Sequence, residues 1–431
     1  MTRVTPTDMT RVTPTDAVPV LPGIESHPHA RAVLGGALTP AGSPSHAYLF
    51  HGPAGTGKRR VARAFAAALL AEGARAPATV VERVARGAHP DLTWVTPSGA
   101  SEVLVSDIDE PVVAAATRTP FESTRRVFVI EAAGTMNDQA ANRLLKTLEE
   151  PPSFAHLILL AEHREDVLAT IASRCQLVRF DPLPSEVVQQ RLMAAEGAEG
   201  VDSDGESSAA TGAPIDPPRA AACARLAAGD ARLAARLAGE RGAALREWAE
   251  DFVRSALGAR PDEASARPSS PGADEASARP ASPSASRRAV LLDLAKAAGA
   301  EAGAAATARL RERAELLPSK ERRRFEREGV DVVRRAERRA RVATLDLGLR
   351  LAELWVRDVW CVASGAPELA YALDRSEQLV SDARGRDAGA LLRGVELVRD
   401  TRLRLALNVS EELALEALAY RLTDLLGSRA G

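Results

Sequence analysis

Residues 47–70 read AYLFHGPAGTGKRRVARAFAAALL. Ala47 to Phe50 suit a short buried strand, a glycine-rich loop follows, and then Val61, Phe65 and Leu69 recur at helical spacing. Strand, glycine loop and helix in that order form a phosphate-binding loop. Gly52, Gly55 and Gly57 bare their backbone N–H groups, Thr56 lies among them, the helix start attracts anions, and Lys58 is placed to reach phosphate oxygens.

Outward from the loop, short apolar runs alternate with helical patterns from Ser45 to Phe180, which predicts a parallel sheet wrapped by helices. The predicted strands are Ala47–Phe50, Leu92–Val95, Val127–Ile130, Leu157–Leu160 and Leu177–Phe180. Asn137 is a good N-cap, Ala141, Leu144, Leu145 and Leu148 make an apolar stripe behind it, and Pro151-Pro152 ends that helix.

The loop lacks what hydrolysis requires. A Ser or Thr hydroxyl normally follows the loop lysine and holds Mg²⁺, but here the position is Arg59. The third predicted strand ends Val129-Ile130-Glu131-Ala132: Glu131 stands where an acidic group approaches the metal, and Ala132 where a carboxylate would activate water. Two readings therefore stand for Lys58 and its loop: nucleotide binding without turnover, or an architectural turn, which we favour. ATP and Mg²⁺ are not expected to be processed in this site.

Beyond the sheet the chain turns helical. The expected organisation is a tail over 1–22, where an eight-residue unit is written twice, and an α/β domain over 23–183. A small helical domain over 184–258 carries a polar insertion at 198–214. A Pro- and Ser-rich linker over 259–287 leads to an all-helical domain over 288–431. The formal net charge of −2 excludes a broadly basic surface, so nucleic-acid contact must come from a local patch or from partners. The Arg-heavy stretches Arg322–Arg327 and Arg334–Arg341 read either as such a patch or as a solvated helix face, the latter favoured. Three cysteines, Cys175, Cys223 and Cys361, with no paired spacing suit a reducing cytoplasm and build no zinc site. No run approaches the roughly 18 to 20 apolar residues of a membrane span.

QAANRLLKTLEEPP (139–152) and IASRCQLVRFDPLP (171–184), with SHAYLFHGPAGTGK (45–58), AHPDL (88–92) and NVSEELALEALAYRL (408–422), resemble the clamp-loader ATPase family. Within it the chain is more similar to the delta-prime branch than to the ATP-hydrolysing gamma/tau branch, which stays the alternative. The resemblance implies an AAA+ module, a helical lid and a helical collar. It also implies a hetero-oligomeric ring with gamma/tau and delta subunits, part of the DNA-directed DNA polymerase III holoenzyme, that sets a sliding clamp on primer-template DNA. It makes Ser173-Arg174-Cys175 the trans-acting motif and Arg174 the arginine finger for a neighbour's ATP. At a strand entrance, Arg174 is expected on the sheet end where nucleotides sit. Arg232, after Gly229-Asp230, stands where relatives place a second phosphate sensor, although a helical arginine is more often simply solvated. Many relatives carry four zinc-binding cysteines before the HPDL segment, but ATVVERVARGAHPDL (78–92) has none, so no metal is expected.

Overall fold

The computed structural model describes residues 21–39, 42–97, 102–194, 215–258, 283–315, 319–405 and 409–427. Of the expected tail, residues 1–20 lie outside the described residues, while Leu21 is already buried; the insertion over 198–214 also lies outside them. Contacts divide the chain into two compact units, Met1–Pro182 and Leu183–Gly431.

In the first unit, α1 (Pro28–Ala37) leads to β1 (Ala47–His51), α2 (Lys58–Ala71), α3 (Pro77–Ala85) and β2 (Leu92–Val95). A short turn, α4 (Val105–Ile108), precedes β3 (Arg126–Ile130), α5 (Asp138–Glu149), β4 (Ala155–Ala161), α6 (Ala169–Ala172) and β5 (Gln176–Arg179). The strands form one sheet in the order β2-β3-β4-β1-β5, every pair parallel. That order has the glycine loop leaving β1 in the interior of the sheet, and it places the loop in the crevice outside the strand C-termini.

Each strand feeds both faces because successive side chains point to opposite sides. Leu49, Phe128, Ile130, Leu157 and Leu159 join one apolar layer, while Tyr48, Phe50, Val127, Val129, Ile158 and Leu160 join the other. Helix α2 covers the second layer through Val61, Phe65 and Leu69, all fully buried. Helix α5 covers the first, capped as expected: the Asn137 side chain accepts the Ala140 N–H at 2.9 Å.

Asp91, completely buried, fastens a loop to this scaffold. Its carboxylate accepts the backbone N–H groups of Phe121, Glu122 and Ser123 at 2.5, 2.9 and 2.9 Å. Burial alone would raise its pKa, but the three donors outweigh burial and hold it below the ordinary carboxylate value. A depressed folded-state pKa gives stability that is complete above the unfolded value, about 4, and lost as pH falls through the folded one. Acid titration of unfolding should therefore be flatter below about pH 4 in Asp91→Asn than in the parent chain.

The second unit is helical: α7 (Ser185–Ala194), α8 (Pro217–Leu226), α9 (Ala231–Ala238), α10 (Glu240–Gly258), α11 (Pro283–Glu315), α12 (Ser319–Ala363), α13 (Ser376–Ala383), α14 (Ala388–Leu405) and α15 (Glu411–Leu426). Residues 184–258 and 288–431, expected as two separate helical domains, fall in this one unit, and one apolar cluster runs from Leu183 to Leu426. Of the expected linker, 259–282 lies outside the described residues, but 283–287 already belongs to α11. Proline is tolerated in the first helical turn, where its missing N–H has no partner to lose. Within this cluster Arg246 forks onto Asp374 at 2.8 and 3.0 Å, and Asp382 accepts from Arg254 Nε at 3.1 Å and from Trp355 Nε1 at 3.1 Å.

Candidate functional site

The loop between β1 and α2 takes the shape its glycines allow. Gly52 has φ +143°, and a Cβ there would lie 2.0 Å from the Phe180 carbonyl oxygen, so only glycine fits where the chain leaves β1 beside β5. The Gly52 N–H donates to the Glu162 carbonyl at 3.0 Å, tying the loop to the end of β4. Gly57, at φ +95°, is the N-cap of α2. Thr56 is buried, and its hydroxyl donates to the Pro53 carbonyl at 3.0 Å. His27 Nε2 lies 2.8 Å from the Thr56 carbonyl oxygen, a brace from outside the loop that no motif announced.

Lys58 is mostly buried, and its ammonium donates to the carbonyls of Gly52 and, at 2.6 Å, of Pro53. The two residues expected to flank a metal meet each other instead: Arg59 Nη2 lies 2.6 Å from Glu131 Oε1. Trp94 Nε1 donates to the same Glu131 carboxylate. Both partners of the ion pair are largely shielded, with side-chain exposures of 23% and 14%. A carboxylate so engaged gains little by taking a second positive charge. Ala132, next along, adopts a left-handed conformation with φ +50° and brings only a methyl group.

Arg174 lies on the surface, 37% exposed, after α6 and two residues before β5. Its Nη2 pairs with Glu149 Oε1 at 2.9 Å and its Nη1 donates to the Thr170 carbonyl at 2.8 Å. Next to it, Cys175 is buried in the apolar layer, and burial pushes its thiol up to about 12, so it anchors the turn rather than reacting. The expected placement of Arg174 needs correcting. In a parallel sheet a strand entrance lies at the end opposite the strand exits, and β5 pairs with β1 in the register Tyr48↔Gln176 to His51↔Arg179. Arg174 therefore sits at the end of the sheet away from its own chain's glycine loop. The structure thus does not bring together Arg174 and the loop residues Gly52 to Arg59, as a donor acting within its own site would require.

Arg232 belongs to the second unit, exposed in the first turn of α9 behind Asp230, whose side chain accepts the Leu233 N–H at 2.9 Å. Among the described residues, no group of three or more His, Cys, Asp or Glu side chains is arranged to hold a metal, and no helix is long and apolar enough to cross a membrane. Sequence reading missed His27 and Trp94. Each reaches the loop region from a distant segment, and only the tyrosine-like amphipathy of Trp94, an apolar ring with one donor, hinted at such a use.

Residues 34–184 match the family described as DNA polymerase III, delta subunit. Among curated relatives, the DNA polymerase III subunit delta' of Bacillus subtilis is 37% identical over 155 residues, 35% of this chain and 46% of the relative. That of Pseudomonas aeruginosa is 37% identical over 155 residues, 35% and 47%. The gamma/tau subunit of Mycobacterium tuberculosis is 36% identical over 181 residues, 41% and 31%. The chain spans a little under half the length of the delta' relatives it matches. A gamma subunit-related protein of Thermotoga maritima superposes at a TM-score of 0.35, with 15% identity over 89% of this chain and 95% of that one.

Proposed function

We propose, from the premise that residues 34–184 form a clamp-loader module similar to delta', that the chain is a non-hydrolysing subunit of a DNA polymerase III clamp loader. In that role it stands in a ring with gamma/tau and delta subunits. It lends Arg174 to nucleotide held by a neighbour and helps place a sliding clamp on primer-template DNA. The observation that carries this reading is the Arg59–Glu131 pair. It neutralises with a protein cation the carboxylate that would face a bound Mg²⁺, while Ala132 offers no base, so the chain's own loop is left to bind nucleotide at most. The exposure of Arg174 at the other end of the sheet supports donation outward, to another subunit. A guanidinium there can share the negative charge that develops on a transferring phosphoryl group.

The test is a reconstituted ring carrying Arg174→Ala. An arginine finger contributes about 10³-fold or more at the site it serves, but other sites of the ring keep theirs, so DNA-stimulated ATP turnover is expected to fall by the share of that one site, with clamp loading slowed alongside. Unchanged turnover and loading would remove Arg174 from the mechanism. The chain by itself is expected to consume no Mg-ATP. Turnover by the lone chain that Lys58→Ala abolishes would instead favour a hydrolysing, gamma/tau-like subunit.

A further inference from the structure

Helices α11 and α12 form an antiparallel pair that outruns the apolar core of the second unit. Near its base Leu291 and Leu345 belong to that core, with Ala295 the last residue of α11 to do so. Farther out the two helices meet through small residues. A Cβ at Gly299 would lie 3.1 Å from the Glu337 carbonyl oxygen and one at Gly329 would lie 3.0 Å from Leu310, while Arg322 Nε donates to the Ala314 carbonyl at 2.9 Å. Ala298, Ala306 and Ala314 are the buried apolar residues of α11 along this stretch. The result is a narrow two-helix arm, and residues 319–341 alone extend it by about 35 Å at the usual helical rise.

The arm is also where the chain's positive charge collects. Residues 309–341 carry thirteen Arg and Lys against seven Asp and Glu, a net +6 in a chain whose formal net charge is −2. Pairing along the helices accounts for at most seven of the thirteen and Glu411 of α15 takes Arg341, so the interleaving that makes a neutral solvated face leaves an excess of five. Arg309, Arg311, Arg334, Arg335, Arg338 and Arg339 are exposed, the last four in two rows at i, i+4 spacing. A helical turn of duplex DNA is about 34 Å long and presents a phosphate charge for about every 1.7 Å of axis. The length of the arm matches one such turn, and its charge is opposite in sign to the phosphates along it.

We infer that the α11–α12 arm binds the phosphate backbone of duplex DNA, without sequence preference. Arginine suits this contact, since its planar fork meets phosphate oxygens two at a time. The inference rests on the charge and shape of the arm alone, so it stands or falls separately from the role of Arg174.

The test uses the full chain and a fluorescently labelled 20-base-pair duplex, read by anisotropy between 50 and 200 mM NaCl. Six phosphate contacts predict a log–log salt slope of about −5. In R334Q/R335Q/R338Q/R339Q the slope is expected to shrink by about 3 to 4, and the Kd at 50 mM NaCl to weaken at least tenfold. Far-UV circular dichroism should be unchanged, as these side chains are exposed. Should the fourfold variant misfold, R335Q/R339Q alone is expected to show about half the loss of slope. Absence of salt-dependent binding at 50 mM NaCl overturns the inference, as does parental affinity and slope in the folded variant. Capture by the arm of an acidic protein but not of DNA overturns it equally.

Discussion

Gly52→Ala is expected to cost about 4 kcal/mol of stability, with no nucleotide present, read as loss of amide-exchange protection in β1 and β5 of the full chain. Two penalties add. The backbone at φ +143° disfavours any side chain, and the new methyl group would lie 2.0 Å from the Phe180 carbonyl oxygen. Relief by backbone movement is blocked on both sides. The Phe180 N–H donates to the His51 carbonyl at 2.8 Å, and the Gly52 N–H donates to Glu162. Gly57→Ala makes the comparison informative. Its φ is also positive, at +95°, but a Cβ there meets nothing within 4 Å, so only the conformational penalty of about 1 kcal/mol applies. Equal costs at the two positions would mean that the clash with β5 is relieved, and that Gly52 is dispensable to the packing of the sheet.

The second large effect lies in the helical unit. Arg246 is buried to 8% side-chain exposure and held by two hydrogen bonds that it donates to Asp374, itself 13% exposed. Burial would lower the Arg246 pKa, yet the hydrogen bonds and charge of Asp374 outweigh it and raise the pKa above its ordinary value. Asp374→Ala leaves that guanidinium in the core without its carboxylate, and removing one partner of a buried pair costs about 3–5 kcal/mol. Glu250, which also acts on Arg246 through its charge, takes up part of the deficit, so about 3 kcal/mol is expected in urea unfolding. The double variant Arg246→Leu with Asp374→Leu should lose clearly less than the single one, because no charge remains buried. A double variant as unstable as Asp374→Ala would place the cost in lost packing rather than in the orphaned cation.

Much of the α/β fold was legible in the sequence because its signals are local. The five strands were placed to within two residues of their observed ends, since each is a short apolar run bounded by turn-forming residues. The Asn137 cap and the stripe through Ala141, Leu144 and Leu148 were equally plain. What depends on strand direction was harder. Arg174 was assigned to the wrong end of the sheet because its position was judged by closeness to a strand rather than by which way that strand runs. The loss of the metal-holding hydroxyl at Arg59 was visible, but its pairing with Glu131 joins the start of α2 to the end of β3, a meeting no local pattern encodes. The Pro- and Ser-rich character of 283–287 concealed the first turns of α11. The Arg-heavy stretches were read as separate runs, although they share one helix of 45 residues.

A sheet whose strands all point one way is a directional object, and here its two ends differ in kind. One offers an accessible cation on a short turn; the other is a glycine cradle whose neighbouring charges have already cancelled. Copies or cousins joined head to tail turn unlike ends to one another. In the proposed ring, a member that can give but has nothing complete to receive into would break the equivalence of positions around the circle, and the assembly would acquire a first and a last place, and with them a seam.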